Sequence, residues 1–150
     1  LMKGLRIKKL GPFLLVILIC LALLNGCGGR KLSEDFDEDE VKKQAEKVIT
    51  LINNRDSENL IEMCNVQMKE VLTDEVLGKV YEAVGEGGQY EGIEDMSVAG
   101  WTDKKSEEEF AVVVARAKYE IRTFTFTITF TKQMKLAGLY YREYARQNKT

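Results

Sequence analysis

No histidine occurs anywhere in the 150 residues, and that one absence removes much of enzyme chemistry. Ser-His-Asp and Cys-His nucleophile systems, imidazole general bases and histidine-bearing zinc sites all need it. Cysteine is nearly as scarce: Cys20 and Cys27 lie in and just after an apolar stretch, leaving Cys64 alone in the body of the chain. An internal disulfide is therefore excluded there, and Cys64, following Leu60 and Ile61, reads as a small buried hydrophobe. Basic charge is also short. Lys3, Arg6, Lys8 and Lys9 take four of the 22 basic residues and none of the 24 acidic ones, so the rest carries 18 against 24, a net −6. Such a surface has no basic stripe for nucleic acid, and no nucleic-acid partner is expected. A phosphate-cradling loop is missing too, because Gly85-Glu86-Gly87-Gly88 lacks the downstream lysine and follows a helical pattern where that motif needs a strand.

What is present begins with a leader. Lys3 to Lys9 form a positive region, and residues 13–24 are an uninterrupted apolar run of 12, well short of the roughly 20 needed to cross a bilayer as a helix. Leu24-Asn25-Gly26-Cys27 then resembles the bacterial lipobox, an aliphatic residue three before a cysteine and a small residue directly before it. The resemblance implies a signal peptide over 1–26, cleavage between Gly26 and Cys27, and a diacylglyceryl thioether on Cys27. Membrane lipid is then a partner, and the protein sits at the outer face of the cytoplasmic membrane. Two or more acyl chains, at about 0.8 kcal/mol per methylene, make that anchor stable.

Residues 27–39 read as a flexible acidic tether, the stretch from Ser33 to Glu40 holding six carboxylates around the single apolar Phe36. Residues 40–145 read as one domain and 146–150 as a polar tail. Val41, Ala45, Val48, Ile49 and Ile52 recur at helical spacing, which predicts an amphipathic helix from near Asp39 to Asn53 or Asn54. Ser57 is the expected N-cap of a short second helix through Cys64. Thr73 is the expected cap of a third, with Val76, Leu77, Val80, Tyr81 and Val84 inward and Gly85, Gly87 and Gly88 at its end.

The period then changes. A strand is predicted over 96–102 and a polar turn over 103–108, and 110–121 alternates Ala111, Val113, Ala115, Ala117, Tyr119 and Ile121 against a more polar set. Residues 123–131 alternate strictly, with Phe124, Phe126, Ile128 and Phe130 on one side and threonines on the other. A turn at 132–135 leads to a last strand over 136–144. Helices first and antiparallel strands after give an α+β class, three helices on one face of a curved four-stranded sheet.

An Asn54-Arg55-Asp56-Ser57-Glu58 stretch after the first helix, a Thr73-Asp74-Glu75 cap and a closing segment Lys135-Leu136-Ala137-Gly138-Leu139-Tyr140 together resemble one family. It is a domain of unknown function found in bacterial lipoproteins and ahead of some α/β-hydrolase domains. The resemblance covers roughly 40–143 and implies a nuclear transport factor two-like, or cystatin-like, cone. Family members usually carry an Asp-Gly type turn before the last strand, from which Lys132-Gln133-Met134 departs.

Related cones host isomerases, ligand binders and dimers, so only residues can choose. An isomerase-type site needs a carboxylate base in an apolar pocket beside a tyrosine or protonated acid. Tyr81, Tyr90, Trp101, Tyr119, Glu120, Tyr140 and Tyr141 are the residues that could line a cone mouth, and Tyr81, Trp101, Tyr119 and Tyr140 are the expected pocket. Thr125, Thr127 and Thr129 are expected on an exposed sheet face, with a homodimer across that face as the alternative. No catalytic residue, metal or cofactor is assigned. The expectation is a noncatalytic domain that binds a small molecule, a wall component or an extracytoplasmic protein. An isomerase or dehydratase, and a structural dimerisation module, stay open beside it.

Overall fold

The computed structural model describes residues 30–145. The leader, the lipobox cysteine and the 146–150 tail lie outside the described residues. The first helix, α1 (Glu38–Asn53), begins where the Asp37 carboxylate accepts hydrogen bonds from the Asp39 and Glu40 amides. Glu38, Asp39 and Glu40 fill its first turn, where negative charge complements the positive end of the helix dipole. Part of the acidic run is thus a helix start. The predicted stripe of Val41, Ala45, Val48, Ile49 and Ile52 is buried.

Upstream, the stretch expected to be a flexible tether is docked from Arg30 onward. Arg30 forms an antiparallel bridge with Gly100, Phe36 is buried, and Lys132 Nζ holds Asp35 at 2.9 Å and Glu109 at 3.2 Å. Gly100 permits the approach, since a Cβ there would lie 2.5 Å from the Lys31 carbonyl oxygen. One aromatic ring and a shared lysine outweigh the acidic composition that pointed to a solvated spacer.

Three helices follow: α2 (Ser57–Met63), α3 (Val66–Val71) and α4 (Asp74–Gly85). Asp56, not Ser57, caps α2, its side chain accepting from the Asn59 amide; Ser57 instead meets the Tyr81 hydroxyl at 2.9 Å. Thr73 caps α4 as predicted. The one-and-a-half-turn α3 is an addition to the three expected helices. Asn65 caps it by accepting from Met68 N, and its own N–H donates to the Leu136 carbonyl, fastening the helical layer to the start of the last strand. Cys64 beside it is buried, and burial pushes its thiol up to about 11, the behaviour of an inert core residue.

The strands β1 (Tyr90–Thr102), β2 (Glu109–Tyr119), β3 (Thr123–Thr131) and β4 (Leu136–Glu143) form a curved, open, wholly antiparallel sheet in the order β1-β2-β3-β4. This is an α+β domain with the helices ahead of the sheet. On the inner face Ala111, Ala115 and Ala117 of β2 stand opposite Phe130, Phe126 and Phe124 of β3. Small residues beside large ones let the rings interdigitate with the helices, and each fully buried ring contributes about 1.5–3 kcal/mol. Ile121, expected inward, is 71 % exposed because β2 ends at Tyr119 and the chain turns at 120–122.

The threonine row departs from expectation. Thr125, Thr127 and Thr129 are 8 %, 2 % and 4 % exposed within a single chain, not on an open face. Thr127 sits between the larger side chains of Val114 and Tyr140, and Thr125 between those of Arg116 and Arg142, whereas Thr129 lies between Val112 and the bare backbone of Gly138. Short side chains form the floor, and the larger neighbours overhang it.

Candidate functional site

A cleft of about 460 Å³ opens where α1 and α4 end beside the start of β1 and the end of β2. Its position follows from local chain chemistry. The carboxyl end of α1 closes with Arg55 N donating to the Ile52 carbonyl and Asp56 N donating to the Leu51 carbonyl. This pair of bonds needs a left-handed residue, and Arg55 supplies it at φ 54°. Glycine is the usual occupant, so an arginine there accepts backbone strain and places a guanidinium at the cleft.

Below it lie Tyr119 and Asn53. The Tyr119 hydroxyl donates to Asn53 Oδ1 in a short hydrogen bond. Burial, with Tyr90 close by, pushes the Tyr119 hydroxyl well above its ordinary value, so it stays protonated and is held as a donor. That fixes the Asn53 amide with its NH2 turned elsewhere, and this buried Nδ2 has no partner among the described residues. A buried amide donor left unmatched costs about 1–3 kcal/mol. Tyr90 packs its ring 5.3 Å from that of Tyr119, tilted by 58°, and forms the half-buried wall. Burial first, then the Glu46 carboxylate, raise its hydroxyl pKa. Tyr81, Gln89, Asn54, Thr50, the apolar Ile52 and Val84, and Gly85 and Gly88 complete the lining, which contains no aspartate or glutamate.

The four expected pocket residues divide between two places. Tyr81 and Tyr119 line the cleft together. Trp101 and Tyr140 do not: Trp101 pairs with Phe110, and Tyr140 with Thr127, on the sheet face turned away from the helical core. There the Trp101 and Phe110 rings stack at 5.2 Å, and the Arg116 guanidinium lies 4.3 Å over the Tyr144 ring. Glu120 is exposed in the turn after β2, and Tyr141 belongs to the inner face against Phe124 and Phe126. Sequence reading did not single out Asn53, Arg55 or Gln89. The one signal for them was an Asn-Asn-Arg run at a helix end where glycine would be ordinary. Among the described residues no three of His, Cys, Asp and Glu gather as a metal-ligand set, and no helix is long and apolar enough to cross a membrane.

Comparison with known proteins fits this architecture. A solved NMR structure of a protein from Ruminococcus gnavus ATCC 29149 is similar, with a TM-score of 0.66 at 20 % identity, over 75 % of this chain and 96 % of that one. The likeness is one of fold. No curated protein matches. Residues 45–139, running from the middle of α1 into β4, match the model of a family described as a protein of unknown function (DUF3887). That span holds α2 to α4, β1 to β3, parts of α1 and β4 and every cleft residue, and the chain belongs to this family.

Proposed function

We propose that this protein is a lipoprotein, acylated at Cys27 and held at the outer face of the cytoplasmic membrane, whose domain is a cystatin-like cone that binds a small molecule without transforming it. The binding reading rests on one observation, the Tyr119–Asn53 pair in an aromatic cleft. In an isomerase-type site the group facing the tyrosine would be a carboxylate able to take a proton. Here it is an amide, which orients a ligand and has no useful basicity. A cleft of this volume also falls in the range of about 300–1,000 Å³ that small molecules occupy.

The test is a ligand-observed NMR screen of the intact protein against a small-molecule library. Hits are expected whose signals vanish in Asn53→Leu while the folded spectrum persists. A library without hits, or hits indifferent to Asn53, would overturn the reading. Anchoring is tested separately by intact-mass analysis of the membrane fraction. A chain starting at Cys27, heavier by a diacylglyceryl group that Cys27→Ala loses, is the expected result.

The outer sheet face favours a second, compatible role. Trp101, Phe110, Val114 and Tyr140 are only partly buried there, and the buried Thr129 hydroxyl on the same face has no partner among the described residues. A second copy of this chain packed on that face would shield the aromatic surface, as in cones that pair through their open sheets. Trp101→Glu should then convert a dimer to a monomer in analytical ultracentrifugation, and an unchanged sedimenting mass would remove the dimer from consideration.

A further inference from the structure

We propose that the ligand of the cleft is a neutral saccharide; the inference deepens the binding reading above and rests on it. Charge is the first argument. Both α1 and α4 end at the cleft without a basic residue in their last turns, and each helix terminus carries roughly half a negative charge. The single lining cation, Arg55, lies against the end of α4: a Cβ on Gly85 would sit 3.3 Å from its Nη2. Its charge therefore answers the helix ends and leaves no surplus for an anion. The lining holds no carboxylate to pair with a cation.

Hydrogen-bonding capacity is the second argument. Asn54 and Gln89 are amides, each offering donors and acceptors side by side, and the Asn53 amide is oriented by its bond from Tyr119. A sugar hydroxyl also donates and accepts at once, so vicinal hydroxyls match planar amides where a simple anion or a hydrocarbon does not. The third argument is the wall. Tyr90 presents a half-buried ring next to these amides, and an aromatic face suits the apolar C–H face of a pyranose. Hydrolysis of a glycoside calls for two carboxylates flanking the bond, which this lining lacks, so the cleft would hold a sugar and release it unchanged.

The experiment titrates the intact, isotope-labelled protein with glucose, N-acetylglucosamine and their β-1,4-linked oligomers, and in parallel with benzoate and choline. At least one sugar should shift the side-chain amide signals of Asn53 or Gln89 at millimolar concentration. Tyr90→Ala should weaken that sugar about tenfold, while Tyr90→Phe, which keeps the ring, restores it. If benzoate or choline moves those signals and no sugar does, the saccharide inference is overturned and the cleft remains a binding site of another class. If no sugar moves them at all, the inference is likewise overturned, and the library screen decides separately whether the cleft binds anything.

Discussion

The two faces of the sheet are built on one alternation and reach burial by different means. On the inner face Phe124, Phe126, Ile128 and Phe130 are covered by helices and meet small alanines across the β2–β3 ladder. On the outer face Thr125 and Thr127 lie between larger neighbours on β2 and β4, Thr129 lies between Val112 and Gly138, and Val112, though buried, stands outside the helix-packed core. Period two tells which residues share a face. How deep a face lies depends on the strands beside it, here β2 and β4, and no pattern within β3 carries that information.

The comparison can be broken most forcefully from the inside. Phe126→Ala should cost about 3–5 kcal/mol in urea unfolding, because a fully buried ring leaves a cavity between β2 and the helices; a loss below 1 kcal/mol would mean the core closes over the gap. A lysine on the outer face comes next. Thr127→Lys should cost about 1–3 kcal/mol, since its stem and charge must displace Val114 and Tyr140 to reach water. If that face were open, the same change would be silent. Thr129→Val should reverse the sign and stabilise by about 0.5–1 kcal/mol, removing a buried hydroxyl that has no partner while keeping its shape. Destabilisation by Val would show that Thr129 makes a bond in solution.

The smallest effect concerns the N-terminal strap. Hydrogen bonds from Ser33 and then from Lys132 hold the half-buried Glu109 carboxyl below its ordinary value near 4.5. The folded state thus binds this proton less readily than the unfolded chain does. Glu109 therefore stabilises above that value, and its contribution fades as pH falls from about 4.5 through the lowered folded value. Hydrogen bonds to Asp35 and then Glu109 raise Lys132 above 10.5, so its share is complete below that and fades as pH rises through the raised value. Glu109→Gln should flatten the acid limb of a stability profile slightly, most visibly at low salt. An identical acid limb in the variant would remove Glu109 from the strap.

The sequence was most legible where its signal was long and unbroken. The stripe of α1, the Thr73 cap and the whole of β3 are where periodicity puts them. Other elements escaped for physical reasons. α3 is six residues with only Met68 buried, too short for a helical period to register. The first half of β1 is interrupted by register shifts at Tyr90/Gly92 and Ile93/Asp95, which scramble alternation. Phe36 is one apolar residue in an acidic run, and its burial depends on β1, far along the chain. The cleft was half legible. Tyr81 and Tyr119 line one cleft, whereas Trp101 and Tyr140 share an aromatic character with them but not a side of the sheet. Asn53 and Arg55 are polar residues at a helix end, and only the fold shows that the end faces Tyr90.

Under the proposed anchoring at Cys27, the bridge between Arg30 and Gly100 would shorten the leash that holds the domain. With lipid on Cys27, only Gly28 and Gly29 lie between the anchor and docked chain, a reach of about 10 Å at 3.3–3.6 Å per residue. Gly100 is near one end of β1 and Tyr90 at the other, about 30 Å apart at roughly 3.3 Å per residue. Were the chain anchored as proposed, the Arg30 end of β1 would sit at the headgroups and the Tyr90 cleft would stand at the far end, facing away from the membrane.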